Sequence, residues 1–214
     1  MICLQPNFVQ IYLYLKIGVD GPLLDMKHKS GVGWLPIPVV HGMTLGELAL
    51  MINGEKWLPR GRVCNLTVVP CEGYTHQTRY ELPIAPSPNL PNIHSIYLYP
   101  STCLFEGTVM SLGRGTDFPF EVYGHPNYKG SDFSFTPRSV AGAKKPPLLN
   151  KKCYGVDLRE MSNQDIWERG FDLSYVIDAY QNMNIGNKFF SSFFEKLVGV
   201  DYIRQDIIAG KSAD

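Results

Sequence analysis

Hydrophobic positions along the chain form two kinds of pattern, continuous runs and helical spacing, and together they predict a mixed α/β protein. The run IYLYLKIGV at residues 11–19 is almost wholly apolar, which is typical of a strand buried on both faces of a parallel sheet. RVCNLTVVP at residues 62–70 and SIYLYP at residues 95–100 are rich in β-branched or aromatic residues, and both are predicted as strands. A helix predicted between strands favours the α/β class.

That helix lies in HGMTLGELALMING, residues 41–54. Thr44 and Glu47 have the T-x-x-E spacing of a capping box, in which the two side chains satisfy exposed amides of the first turn. The apolar residues that follow fall on one face, and Asn53-Gly54 supplies the end of the helix. The predicted apolar face comprises Leu45, Leu48, Ala49 and Ile52.

The segment YELPIAPSPNLPN, residues 80–92, contains four prolines and is predicted to be a stiff loop rather than a helix or a central strand. Such a loop can hold the side chains of Ser87 and Asn89 at fixed positions. A rigid connector without a binding role fits the same pattern, and the residues alone do not decide between the two.

After residue 126 the composition shifts toward Pro, Gly, Ser and Lys, which indicates a long irregular crossing or a domain junction. The pattern beyond it predicts a short strand at residues 153–160, a helix at residues 172–183 and a short apolar helix at residues 189–200. The phenylalanines of that last segment are expected in the core. Gly210 is predicted to close a helix.

Composition excludes several classes of function. Twenty basic residues balance twenty acidic ones, which argues against a general binder of nucleic acid or anionic membranes. No apolar run approaches the roughly 20 residues of a membrane span. The cysteines are widely separated, without a C-x-x-C pair, so no metal or other cofactor is predicted. All of them are expected to be buried small hydrophobes: Cys3, Cys64, Cys71, Cys103 and Cys153.

The stretch CLFEGTVMSLGRGTDFPFEVYG, residues 103–124, places Glu106 and Arg114 among closely spaced glycines. It is not a Walker A loop, because one residue too many separates the two glycines and Arg114 replaces the required lysine. A dinucleotide fingerprint fails at its third glycine, where Phe118 stands. A carboxylate and a guanidinium on a flexible turn suit polar groups of a carbohydrate or a carboxylate ligand. A purely structural pairing of Arg114 with Glu106 or Glu121 is the alternative.

Five motifs follow one another in the order VDGP, PIPVVHGMTLGELA, APSPNLP, YPSTCLFEGT and GRGTDFPFE. In this order and spacing the chain, from about Val19 to its C-terminus, closely resembles the NamZ-type exo-β-N-acetylmuramidases of bacterial cell-wall recycling, with variants most like those of Bacteroidetes. The resemblance implies the C-terminal part of a Rossmann-like catalytic domain, followed by a smaller auxiliary α/β domain. The expected division is residues 1–126 and residues 127–214.

The resemblance also implies a function and a site. Family members release terminal N-acetylmuramic acid from peptidoglycan fragments, in a cleft between the two domains, and act in the periplasm or outside the cell. No signal peptide is recognised in the chain. Glu106 is the expected catalytic residue, and the expected substrate-binding residues are His41, Ser87, Asn89 and Arg114. The expected partners are muramic-acid sugars, with neither nucleic acid nor a membrane span.

The chain departs from the family before VDGP, where LYLKIG stands in place of an aspartate-arginine-proline-asparagine-proline segment. An internal fragment is therefore expected, without the upstream half of the family sequence and its second catalytic carboxylate, and without the final helix. Residues 1–18 are expected to be unrelated to the family fold. An inactive fragment, or a remnant that binds carbohydrate without catalysis, is the alternative to an enzyme.

Overall fold

The computed structural model describes residues 19–213, which form helices packed with two small antiparallel sheets and are consistent with an α/β fold. In the first sheet, β1 (Asp20–Leu23) pairs with β2 (Pro38–Val40). The second has the order β3-β5-β4, from β3 (Val122–His125), β4 (Ser134–Phe135) and β5 (Cys153–Asp157). The predicted strand at residues 11–19 lies, except for Val19, outside the described residues.

Six α-helices are found within residues 19–213: α1 (Leu45–Gly54), α2 (Ile93–Thr102), α3 (Asn163–Arg169), α4 (Ser174–Met183), α5 (Phe194–Val198) and α6 (Tyr202–Ile208). Short 3₁₀ turns lie at Met26–His28, Pro59–Gly61, Cys103–Gly107 and Gly186–Phe189.

The capping box of α1 is confirmed. The Thr44 hydroxyl accepts a hydrogen bond from the Glu47 amide at 3.2 Å, and Glu47 Oε2 accepts one from the Thr44 amide at 2.7 Å. Leu48 is buried as predicted, but Leu45 is half exposed. Leu45, in the first turn of α1, therefore does not share the burial expected of the predicted apolar face.

The predicted strand at residues 62–70 is wrong, because this stretch is irregular and largely exposed. The side-chain amide of Asn53 pairs with the backbone of Cys64, accepting from its N–H at 2.7 Å and donating to its carbonyl at 2.9 Å. Those two hydrogen bonds take the place of the backbone hydrogen bonds that a neighbouring strand would make. β-branched composition by itself does not create a ladder, and no partner strand lies alongside within the described chain.

The predicted strand at residues 95–100 is also wrong, since these residues belong to α2. Asn92 caps this helix by accepting a hydrogen bond from the Ser95 amide at 2.8 Å. Ser95 and the three residues that follow it are buried, so the helix has no polar stripe there and lacks the periodicity that distinguishes a helix from a buried strand.

The main core joins α2, the following 3₁₀ turn, β3, α4 and the segments around α5 and α6. The predicted strand at β5 and the predicted helix at α4 are confirmed. The phenylalanines of residues 189–194 are largely core residues as expected, with Phe189, Phe190 and Phe194 buried. Helix α5 is shorter than predicted, because a 3₁₀ turn precedes it. Gly210 follows α6 with φ of 79°, as expected at a helix end.

The cysteine prediction is only half right. Cys103 and Cys153 are buried, whereas Cys64 and Cys71 are exposed. Cys64 lies within the irregular stretch of residues 62–70 and Cys71 directly follows it. Cys3 lies outside the described residues. Across residues 19–213, no three His, Cys, Asp or Glu side chains are grouped to hold a metal ion. No helix in that range is long and apolar enough to cross a membrane.

Candidate functional site

Glu106 lies near the end of the 3₁₀ turn that continues α2, and close packing fixes its position. At the neighbouring Gly107, an added Cβ would stand 2.5 Å from Cα and 2.8 Å from the amide nitrogen of Phe194 in α5. Only glycine allows the two backbones to approach this closely. The turn that presents Glu106 is therefore seated directly on α5.

Arg114 is held between two glycines with left-handed backbone, Gly113 at φ of 81° and Gly115 at φ of 85°. The Thr116 hydroxyl donates to the Gly113 carbonyl at 2.6 Å and closes this turn. At Gly115 an added Cβ would lie 2.4 Å from the carbonyl oxygen of Arg138. The glycines around Arg114 thus form a packed turn and not a phosphate cradle.

The structure brings Glu106 and Arg114 into direct contact. Arg114 Nε donates a hydrogen bond to Glu106 Oε1 at 2.8 Å, and Nη2 lies 2.6 Å from the same oxygen as an ion-pair contact. The side chains are 26% and 25% exposed for Arg114 and Glu106, and the guanidinium lies 4.9 Å from the centre of the Phe120 ring. Among residues 19–213, Glu106 Oε2 and Arg114 Nη1 have no further hydrogen-bond partner.

The Tyr99 phenol and the Cys103 thiol lie near this pair. Burial, more than the nearby Cys103 and Glu106, raises the pKa of the Tyr99 phenol well above its ordinary value. Burial and the charge of Glu106 likewise raise the pKa of the Cys103 thiol far above its usual range. Both groups are therefore neutral near pH 7. No pattern in the sequence points to Tyr99, which comes close to the pair through the helical form of α2.

Ser87 and Asn89 lie in the proline-rich loop before α2, which is confirmed as a loop without regular structure. The Ser87 hydroxyl accepts from the Asn89 amide at 3.2 Å, and the Ser87 carbonyl accepts from the Leu90 amide at 2.9 Å. The Asn89 side chain donates to the Gly142 carbonyl at 2.9 Å. The loop is therefore tethered across the chain, and neither side chain hydrogen-bonds to Glu106 or Arg114.

His41 follows β2 and belongs to the other sheet. It is buried, and its Nδ1 accepts a hydrogen bond from the Met43 amide at 3.1 Å. Burial lowers the pKa of His41, so its neutral form is favoured. The ring lines a small, mostly apolar cavity of about 60 Å³, together with Leu24, Trp34 and Gly199.

Glu121, the alternative partner considered for Arg114, does not pair with it. Glu121 is 5% exposed, and its Oε1 accepts a hydrogen bond from Asn92 Nδ2 at 2.7 Å. These two residues are 29 positions apart in the sequence, so no local pattern connects them. Sequence reasoning left Asn92 out of the site altogether.

Two family models together match most of the chain. The family model described as "Exo-beta-N-acetylmuramidase NamZ, N-terminal" matches residues 10–94, and its C-terminal counterpart matches residues 97–214. The chain is 34% identical to the "Peptidoglycan beta-N-acetylmuramidase NamZ" of Bacillus subtilis (strain 168), in an alignment of 212 residues that covers 92% of this chain and 50% of that protein. The chain thus spans about half the length of this curated relative.

Two crystal structures of DUF1343 family proteins from Bacteroides fragilis NCTC 9343 are similar to the chain. The first is 64% identical with a TM-score of 0.90, and the match covers 98% of this chain and 57% of that one. The second is 20% identical with a TM-score of 0.73, covers 89% and 55% of the two chains, and supports the fold alone.

Proposed function

The chain belongs to the NamZ exo-beta-N-acetylmuramidase family, and from that premise we propose that the protein is a glycoside hydrolase that releases terminal N-acetylmuramic acid from peptidoglycan fragments. The observation that carries the proposal is the contact between Glu106 and Arg114, which places one carboxylate and one guanidinium in a partly exposed, otherwise neutral setting. Those two groups match the chemistry of the bond to be cleaved and of the sugar to be recognised.

Glu106 is proposed as one of the two carboxyl groups that glycoside hydrolysis ordinarily requires. One such group protonates the leaving oxygen, and the other acts as a base or as a nucleophile. Oxygen Oε2 of Glu106 is available for this chemistry, because Arg114 binds only Oε1. No second carboxylate among residues 19–213 hydrogen-bonds or ion-pairs with Glu106 or Arg114, so the second group is left unassigned.

Arg114 is proposed to recognise the lactyl carboxylate that distinguishes N-acetylmuramic acid from N-acetylglucosamine. A guanidinium can bind a carboxylate through two parallel N–H groups, which gives direction as well as attraction. Nε and Nη2 are held by Glu106, and Nη1 has donors left for a ligand. Because Glu106 already fixes the plane of the guanidinium, the ligand would meet a preorganised donor.

His41, Ser87 and Asn89 are proposed to bind other polar groups of the sugar. The side-chain nitrogen of Asn89 donates to Gly142, which fixes the orientation of the side chain. Its Oδ1 has no hydrogen-bond partner within residues 19–213 and is therefore available to accept one from a ligand. The division at residue 126 and the cleft between two domains are part of the same proposal. So is a periplasmic or secreted location, since peptidoglycan lies outside the cytoplasm; cell fractionation tests that location.

The proposal is tested with the intact protein and a chromogenic β-N-acetylmuraminide, by following release of the chromophore. Glu106→Gln keeps the size and hydrogen bonding of the side chain but removes its charge. If the carboxylate takes part in proton transfer, kcat should fall by roughly a hundredfold or more.

Glu195→Gln is the matched control, because Glu195 forms a similar ion pair with Arg204 at 2.8 Å, also partly buried, and does not contact Glu106. This variant should retain its activity. Nearly intact turnover in Glu106→Gln would make Glu106 a structural residue. Binding of the muraminide by calorimetry without any turnover in the wild-type protein would contradict the hydrolase assignment.

A further inference from the structure

Glu121 is a buried carboxylate that forms no hydrogen bond or ion pair with Glu106 or Arg114. It lies between Phe120 and Val122, which are fully buried. Its side chain accepts one hydrogen bond within the described chain, from the neutral amide of Asn92. Arg114 donates to Glu106 instead, and Arg159 donates to Asp157. Burying a charged group is unfavourable unless it is well partnered. The charge of Arg159 acts on Glu121 without a hydrogen bond, so the bond from Asn92 is the contact that fixes the direction of this carboxylate.

The side-chain amide of Asn92 has two hydrogen-bond partners, and through it the contact with Glu121 reaches the start of α2. Its Oδ1 accepts from the Ser95 amide at 2.8 Å and caps α2, while its Nδ2 donates to Glu121 at 2.7 Å. The carboxylate is thereby held close to the start of α2, where the helix dipole favours negative charge. Glu121 and the cap therefore fix the beginning of α2 from the side of β3.

The segments on either side of this contact carry the proposed site. Upstream of Asn92 is the loop of residues 86–91, which presents Ser87 and Asn89. Downstream, α2 leads into the 3₁₀ turn that presents Glu106. Glu121 itself directly follows Phe120, the ring over which Arg114 lies. One hydrogen bond, made by the residue that follows the 86–91 loop, thus ties the start of α2 to the turn before β3 that supports Arg114.

We propose that Glu121 is a positioning residue, which holds the 86–91 loop in register with the Glu106–Arg114 pair through its hydrogen bond to Asn92. This inference rests on the proposed function, since it takes Ser87 and Asn89 to bind the sugar. Glu121 does not itself touch the substrate. Its effect is on the distance between two parts of the site, and small misplacements of binding groups weaken a site considerably.

Asn92→Ser separates this role from that of the helix cap. Serine is an equally good N-cap, so the bond from the Ser95 amide is retained, but the donor to Glu121 is lost. We expect KM for the muraminide to rise roughly tenfold while kcat changes by less than about twofold, the signature of lost binding that is common to ground state and transition state. Glu121→Leu should show the same pattern. Glu121→Gln retains an acceptor and should stay near the wild-type KM.

Ser162→Ala is the control for loss of a helix cap that does not involve Glu121, because Ser162 caps α3 by accepting from the Asp165 amide at 3.0 Å. We expect it to lower the melting temperature without raising KM. An unchanged KM in Asn92→Ser would overturn the inference, as would an equal rise in Ser162→Ala.

Amide hydrogen exchange at Ser87, Asn89 and Leu90 gives a readout that does not depend on activity. We expect faster exchange in Asn92→Ser and unchanged exchange in Ser162→Ala. If the wild-type protein releases no muramic acid, the proposed function is wrong, and the exchange rates still decide whether Glu121 holds the loop. If the wild-type protein is active but neither KM nor exchange responds to Asn92→Ser, the positioning role is wrong and the function stands.

Discussion

Arg114→Lys separates recognition of the substrate from support of the fold. The substitution keeps the positive charge and removes the planar fork. Arg114 uses Nε and Nη2 on a single oxygen of Glu106, at 2.8 and 2.6 Å, and has Nη1 left over. A lysine presents one ammonium group on a flexible stem, so it cannot hold Glu106 and a ligand carboxylate in two fixed directions.

The two possible losses differ in size. Both side chains are about a quarter exposed, so solvent screens the ion pair, and a lysine still provides a charge for Glu106. We therefore expect the free energy of unfolding to fall by less than about 1 kcal/mol. Loss of charge-assisted bonds to a lactyl carboxylate is worth about 1.5–3 kcal/mol, which corresponds to a fall of roughly 10- to 150-fold in kcat/KM.

The assay compares kcat/KM for a chromogenic β-N-acetylmuraminide and for the matching β-N-acetylglucosaminide, which lacks the lactyl group, in wild type and Arg114→Lys. The melting temperature is measured beside them, with Arg204→Lys as the control for a similar ion pair elsewhere. A selective loss on the muraminide at nearly unchanged stability is expected. Equal losses on both substrates, with a lowered melting temperature, would refute the recognition role and make Arg114 a structural partner of Glu106.

Two further predictions follow from packing. Gly107→Ala should lower the free energy of unfolding by about 1–3 kcal/mol or more, because the new methyl group would meet the backbone of Phe194 at 2.5 Å. Denaturant unfolding measures this loss, and an unchanged midpoint would contradict the close contact. In the native protein, an alkylating reagent should modify Cys64 and Cys71 quickly and Cys103 and Cys153 only after unfolding, because burial protects the latter two and raises the pKa of Cys153 to about 11. Peptide mapping by mass spectrometry reads out the sites, and equal rates at Cys64 and Cys103 would show that Cys103 is accessible.

Local signals in the sequence were sufficient where an element is stabilised by its own residues. The capping box of α1 needs only Thr44 and Glu47, three positions apart. The helical spacing in α4 is visible because one face of that helix meets the core, with Tyr175, Val176 and Ala179 buried, while other positions are exposed. The turn around Arg114 was predictable for a similar reason, since glycine marks the positions with left-handed backbone.

The sequence was insufficient where tertiary contacts decide the structure. The aromatic and β-branched content of α2 favours a strand, but Asn92 caps a helix there and the core surrounds it. Residues 62–70 have the composition of a strand, yet a strand also needs a partner, and Asn53 takes the place of one. In both cases propensity was overridden by what lies beside the segment in space.

For the candidate site, the sequence indicated which charged residues belong together but not how. Glu106 and Arg114 are eight positions apart, and their ion pair was one of the alternatives that the glycine-rich turn left open. Their neighbours were not predictable. Tyr99 reaches them through the helical form of α2, and the contact between Asn92 and Glu121 depends on the turn before β3 lying against the start of that helix.

The Glu106–Arg114 contact also determines how single substitutions must be interpreted. Each residue is the other's ion-pair partner and is also proposed to contact the substrate. Removing either one therefore alters the free protein and its complex with the substrate together. Losses from residues in direct contact do not add. Glu106→Gln and Arg114→Lys avoid most of this problem, because each keeps a polar group in contact with its partner. Truncation to alanine would instead leave a partly buried charge unpaired, and the resulting loss of activity would say little about catalysis. The conservative variants are therefore the informative ones at this site.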